Sequence, residues 1–302
     1  MSFERIRQRL HEGRPLVLDS DPGASFRARG VALDTPGAIG ELLRSRSEDV
    51  LSHYRAEASS RVDVLSALTA DTTPRALAEV GMEHRSAVLT GRAIELALEA
   101  AAETKRPIAV AGVLGSEMVG ALAAEREHAE LAEHARRIAV AGSELIIARG
   151  QGSRLGLMAA VVAAAATELP TWAVVECLPS GELAMGGDLA SLVESLEGAG
   201  ASAVLFEVAS VEAGLRQLAQ VLDLVPDASA VPGILLAGGP DSVRGFPDFA
   251  AKPTSWAFQA LALDAAGARI IGGGAGTTEA HTAGLAAELG SLHPSIPASS
   301  PR

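Results

Sequence analysis

The chain has a single cysteine, Cys177, in 302 residues. That count excludes both a disulfide framework and a cysteine-based metal cluster. Positive charge is also short: 25 Lys and Arg stand against 37 Asp and Glu, for a formal net charge of −12. Nucleic-acid binders ordinarily carry a basic face, so no nucleic-acid partner is expected. Long hydrophobic runs are missing too. The longest, "LGLMAAVVAAAA" at 155–166, is too short and too alanine-rich to span a bilayer. The opening residues, MSFERIRQRLHEGR, are polar and amphipathic and contain no apolar signal core. A cytoplasmic protein with no membrane contact is the expectation.

What is present is a large apolar fraction, 48%, with 21% charged residues, which suits a chain with a sizeable core. Eight short apolar runs recur: "LVLD" (16–19), "VDVLSA" (62–67), "PIAVAG" (107–112), "ELIIA" (144–148), "TWAVVEC" (171–177), "SAVLFEV" (202–208), "GILLAG" (233–238) and "RIIGGG" (269–274). They are apolar throughout rather than alternating, as strands of a parallel sheet covered on both faces read. Alanine- and leucine-rich segments with helical periodicity lie between them, for example 84–104, 124–142, 188–199, 210–223 and 279–290. The pattern predicts an α/β fold, a single (β/α)8 TIM barrel over 15–289, with a helix over 1–14 and a disordered tail over 290–302. A doubly wound open sheet is the alternative, but it rarely needs eight such units in a row.

Barrels of this class carry their sites at the C-terminal ends of the strands. Asp19 ends the first run, Arg149 follows the fourth, Glu176 closes the fifth and Glu207 lies on the sixth. These four form the candidate catalytic set. Carboxyls there act as general acids or bases, their pKa values moved by burial and by one another, or as ligands for a hard cation such as Mg²⁺. The competing reading makes Arg149 one half of a structural ion pair with these acids. Thr69 and Asp71 after the second run, Gly112 at the end of the third, and Gly273, Gly274, Thr277 and His281 in "IIGGGAGTTEAH" form the candidate substrate-binding set. His281 alternatively caps or packs the last helix. The seventh run ends in "AGGPD". "GGGAGTT" is like a phosphate cradle after strand eight, but it lacks the lysine of a nucleotide P-loop. Cys177 reads as a buried small hydrophobe rather than a nucleophile.

With the runs placed, the sequence resembles the homocysteine S-methyltransferase family from about residue 14 to 289. "LVLDSDPGASFRARGV" (16–31) looks like the family's LDGGMGTELxxRG opening, "ALTADTTPRAL" (67–77) like its TNT segment, "AVAGVLGS" (109–116) like VAGSxGP, and "IIGGGAGTTEAH" like its closing GGCCGTxPxH. The resemblance implies a barrel in which three cysteines bind Zn²⁺ and the zinc holds the substrate sulfur as a thiolate. At the matching positions this sequence has Val208, Gly274 and Ala275, none with an electron pair to donate. The family's Glu after strand four matches Arg149, the Asn of its TNT matches Leu68, and the Asn before the first zinc cysteine matches Glu207. Asp19, Thr69, Gly112, Gly272, Gly273, Gly276, Thr277 and His281 remain. The resemblance therefore implies the family scaffold with no metal and no cofactor.

Three functions follow as expectations. The first is a metal-independent transferase, with methyl transfer among its chemistries, acting on a small amino-acid-like, sulfonium or ammonium substrate. In it Asp19 and Glu207 hold the cationic group and Arg149 clamps a carboxylate. The second is a catalytically inactive homologue serving as a binding module or complex subunit. The third is a barrel enzyme holding a phosphate-bearing substrate on the strand-eight loop. The expected partners are a small-molecule substrate and a second copy of the chain or another protein.

Overall fold

Apolar runs without alternation need cover on both faces, and a closed parallel sheet inside a ring of helices supplies it. In the computed structural model, strands β1 (Leu16–Leu18), β2 (Val64–Ala67), β3 (Ala109–Leu114), β4 (Leu145–Arg149), β5 (Thr171–Glu176), β6 (Ala201–Val208), β7 (Val231–Leu236) and β8 (Ile270–Gly273) close in chain order. All eight neighbouring pairs are parallel, and Leu16, Val17 and Leu18 of β1 register with Ile270, Ile271 and Gly272 of β8. The structure describes every residue except Met1, Asp34, Gln151, Asp227 and the ranges 116–123, 240–251 and 294–302. Ser116 of the third family-like motif, Pro240 and Asp241 of "AGGPD", and most of the expected tail lie outside the described residues.

Helices α1 (Ser2–His11), α2 (Pro22–Ala28), α3 (Ala38–Ser45), α4 (Ser47–Ser59), α5 (Pro74–Ala78) and α6 (Ser86–Ala102) belong to the first half. The second half carries α7 (Ala124–Val140), α8 (Arg154–Ala165), α9 (Leu189–Gly198), α10 (Val211–Leu224), α11 (Pro253–Ala265) and α12 (Glu279–Leu292). The run "LGLMAAVVAAAA" is α8, packed on the sheet through Leu157, Ala160, Val161 and Ala164. Among the described residues no helix is long and apolar enough to cross a membrane. Helix α12 continues through Leu292, so residues 290–292 are helical rather than part of a tail. The end is pinned where His293 Nε2 meets Asp264 Oδ2 of α11 at 2.8 Å.

Successive strand residues point alternately into the barrel and out to the helices. Leu18, Val64, Ala111, Ile147, Trp172, Val174, Leu205 and Leu235 fill the interior. Val17, Leu65, Val110, Ile146, Val175, Phe206 and Ile271 face the helical layer. Ile6 of α1 joins the interior cluster, so the amphipathic first helix plugs the N-terminal end of the barrel. Glu144, just before β4, holds this helix in place by accepting from Ser2 N at 2.9 Å and Phe3 N at 3.3 Å. With one end plugged, the accessible interior lies at the C-terminal ends of the strands.

Candidate site at the barrel mouth

A cavity of about 400 Å³ opens at those strand ends. Its polar lining includes Asp19, Ser20, Asp21, Ser66, Asp71, Arg149 and Glu207, with Gly273, Gly274 and Ala275 on the strand-eight side. Leu33, Ile39, Val113, Ile147 and Leu235 supply apolar wall. Among the described residues, four carboxylates thus share the space with one guanidinium.

Asp19 is buried just beyond β1, and both its oxygens are used. Oδ2 accepts from Ser66 N at 2.6 Å and Oδ1 from Ser66 Oγ at 2.7 Å. Burial pushes this carboxyl up to about 6, against the opposing pull of the Ser66 hydrogen bonds. Behind it stands a second buried acid, Glu57 of α4. Ser20 donates to Glu57 Oε1 through its hydroxyl and, at 3.4 Å, through its backbone N–H. Thr282 Oγ1 donates to Oε2 at 3.1 Å. Burial first, and the Asp19 charge second, hold the Glu57 proton well above the usual carboxylate range.

Arg149 and Glu207 form an ion pair across the mouth, from β4 to β6. Glu176 registers beside Glu207 on β5 but is not among the residues lining the cavity. Cys177 is buried, and burial, with Glu207 and Glu176 adding to it, pushes its thiol up to about 12. It is a packed side chain and not a poised nucleophile.

The strand-eight loop is held by hydrogen bonds within the chain. Gly273 N donates to Asp19 O at 3.1 Å, Gly274 N to Leu236 O at 2.8 Å, and Thr277 N to Gly274 O at 3.2 Å. Gly276 N donates to Asp21 Oδ2 at 3.0 Å. Asp21 also caps α2, accepting from Gly23 N at 2.8 Å. Burial raises its carboxyl from the ordinary value. An acid therefore stands where an anion would approach this loop.

The remaining predicted residues lie elsewhere in the fold. Thr277 is fully buried, donates to Gly274 O at 2.7 Å and accepts from Asp21 N at 3.2 Å. His281 is buried, caps α12 by accepting from Thr278 N at 3.1 Å, and meets Trp256 edge-on at 5.5 Å. Thr69 is fully buried and bridges to β3, donating to Val113 O at 2.7 Å and accepting from Val113 N at 2.8 Å. Gly112 lies within β3 rather than at its end, and a Cβ there would meet Ile138 Cγ2 at 2.1 Å, so its bare face receives α7. The structure thus brings Asp19, Asp71, Arg149, Glu207, Gly273 and Gly274 together at one cavity. It leaves Glu176, Thr69, Gly112, Thr277 and His281 outside the lining. Asp21, Ser66 and Glu57 were missed from sequence. Asp21 had a readable signal, an N-cap aspartate before a proline at the first helical position. Glu57 had none, because an acid in an amphipathic helix reads as solvent-facing.

The residues at the zinc-ligand positions of the resembled family do not fit that metal. Val208 is a buried hydrocarbon, and Ala275 offers no side-chain donor. A Cβ on Gly274 would already lie 3.1 Å from Ala237 N, 3.1 Å from Leu236 C and 3.2 Å from Leu235 O. Among the described residues no group of three or more His, Cys, Asp or Glu is arranged to hold a metal ion.

A family model described as homocysteine S-methyltransferase matches residues 16–289. Among solved structures, the metallated form of the homocysteine methyltransferase MmuM from Escherichia coli is similar at a TM-score of 0.77 and 21% identity, covering 94% of this chain and 99% of that one. Its oxidized form gives 0.75 at 22% identity, over 91% of this chain and 96% of that one. A type I 3-dehydroquinate dehydratase from Clostridium difficile gives 0.52 at 10% identity, over 94% of each chain. At these identities the likeness to solved structures concerns the fold. Comparison with curated protein sequences gives no match.

Proposed function

The chain belongs to the homocysteine S-methyltransferase family, and from that premise we propose that it is a metal-independent transferase for a small cationic substrate, a sulfonium or an ammonium, held at the barrel mouth. One observation carries the reading: Asp19, Asp21, Asp71 and Glu207 line a cavity of about 400 Å³ in which, among the described residues, Arg149 is the one guanidinium, and it pairs with Glu207. Such a space favours a positive ligand, because carboxylates in a partly dry cleft attract a cation more strongly than they do in water.

For a sulfonium donor the chemistry balances without a metal. The methyl–sulfur bond breaks with its electron pair going to sulfur, leaving a neutral sulfide. The methyl carbon bonds to a lone pair on the acceptor, and the acceptor's proton leaves to a carboxylate. Asp19, with its carboxyl raised to about 6 by burial, suits that proton. The Ser66 hydrogen bonds keep its two oxygens oriented toward a fixed geometry. Activation of a thiol through zinc has no place in this scheme, since the residues at the ligand positions carry no donors.

One observation favours a second reading, a non-catalytic ligand-binding homologue: Arg149 and Glu207 neutralise each other at the mouth. The phosphate reading of the strand-eight loop loses support, because four of its N–H groups have protein acceptors and one of those acceptors is the Asp21 carboxylate.

The test combines metal analysis of the purified protein with a ligand screen of S-methylmethionine, glycine betaine and homocysteine. The expected result is zinc well below stoichiometric and saturable thermal stabilisation by the sulfonium, weakened by Asp71→Asn. Mass spectrometry of methyl transfer then separates enzyme from binding module. Stoichiometric zinc, or indifference to every cationic ligand, would overturn the reading.

A further inference from the structure

A second cavity, of about 440 Å³, lies at the opposite end of the barrel. Arg9 of α1, Arg14 before β1, Arg61 after α4 and Arg106 before β3 all line it, around one carboxylate, Asp63. Among the described residues, four guanidinium groups against one acid make this a positive pocket in a protein of formal net charge −12.

The existing bonds leave that charge unbalanced. Asp63 is buried, and its Oδ2 is already used by Val17 N at 2.9 Å. Its Oδ1 meets both Arg9, in a direct ion pair, and Arg106 Nη2 at 3.5 Å. Arg106 otherwise donates to the carbonyls of Arg61 at 2.9 Å and Val62 at 3.1 Å, neither of which is an anion. Arg9 Nε is shielded from solvent with no hydrogen-bond partner. Among the described residues the Arg61 side chain forms no ion pair. His293, at the rim, has its own acid in Asp264. Burial lowers the Arg106 pKa; Asp63 opposes that shift, and the charges of Arg9 and Arg61 add to it. The guanidiniums of Arg9, Arg61 and Arg106 therefore repel one another around an acid that cannot satisfy all three.

We propose that this cavity is a binding site for the phosphate group of a small anion, separate from the mouth. A phosphate brings up to two negative charges and several oxygens, and guanidinium forks match that geometry in bidentate fashion. A single carboxylate would repeat what Asp63 already does. Pro15, Pro107 and Leu289 give the cavity apolar wall for an organic body attached to the phosphate. The site joins α1, the strand starts and the end of α12, so its ligand would clamp the plug helix to the barrel.

The test uses the full-length protein with three probes at matched ionic strength: inorganic phosphate, pyrophosphate and adenosine diphosphate. Calorimetry and thermal denaturation read binding, with sodium chloride as the control. Saturable binding of pyrophosphate is expected, weakened about ten-fold by Arg61→Gln, a change of about 1.4 kcal/mol. Arg149→Gln at the mouth should leave it unchanged. Arg14→Gln serves as a second variant, and circular dichroism confirms that each is folded. Adenosine diphosphate binding more tightly than pyrophosphate supports an organic phosphate, and equal affinities support the inorganic group. The proposal is overturned if no probe binds saturably at millimolar concentration. It is also overturned if Arg61→Gln and Arg14→Gln both bind at full strength, or if Arg149→Gln abolishes binding.

Discussion

Replacing Glu57 with glutamine tests the buried acid pair behind the mouth. The wild-type side chain is fully buried, taking hydrogen bonds from Ser20 on one oxygen and Thr282 on the other. Glutamine preserves that pattern in shape: its amide oxygen accepts from Ser20 N–H and its amide nitrogen donates to the Thr282 hydroxyl. It therefore mimics the protonated acid and removes only the ability to ionise. In the native protein the Glu57 pKa is raised from 4.5 to about 8, by burial and then by the Asp19 charge. A raised native pKa means that the folded state holds the proton more tightly than the unfolded chain. The corresponding stability is fully present below about pH 4.5 and is lost as pH rises through about 8. At about 1.4 kcal/mol per unit, the loss is on the order of a few kcal/mol, shared with Asp19 because the two titrate as a pair. Urea unfolding of both proteins at intervals from about pH 5 to 9 reads this directly. The stabilities should nearly coincide near pH 5, and the glutamine variant should gain steadily toward pH 8 and then hold its advantage. A gap that stays constant with pH, or a variant weaker than wild type at pH 9, would refute the reasoning.

Two further outcomes follow from packed residues that sit beside the mouth without lining it. Thr69→Val strips Val113 N–H and C=O of their partner at 2.8 and 2.7 Å, so denaturant unfolding should show a loss of about 2 kcal/mol while affinity for a mouth ligand changes less than about two-fold. Unchanged stability with collapsed affinity would make Thr69 a binding residue after all. Cys177, buried with its thiol pushed up to about 12, should resist iodoacetamide at pH 8 in the folded protein and react once urea unfolds it. Alkylation of the native protein at the unfolded rate would contradict that burial.

Most of the scaffold is legible in the amino-acid sequence. All eight strands occupy the predicted runs to within a few residues, because a strand covered on both faces must be apolar along its whole length. The same uniformity hides which face a residue takes. Gly112 looked like a strand terminus, yet it points outward to admit Ile138, and nothing in "AVAGVL" marks its direction. Thr69 and Thr277 carry hydroxyls at loop positions that suggest ligand contact, but each is used up by a backbone group of a neighbouring element.

The linear sequence determined the barrel, the order of its strands and the family, because each of these rests on local composition or on residue identity at a motif position. Tertiary structure alone decided the charges. Glu57 reaches Ser20 from 37 residues away, Arg149 and Glu207 meet across 58, and the four arginines of the lower cavity come from separate elements. Closing the barrel brings these side chains together, and an ionisable group acquires its pKa and its partner from the dielectric and charges around it in space.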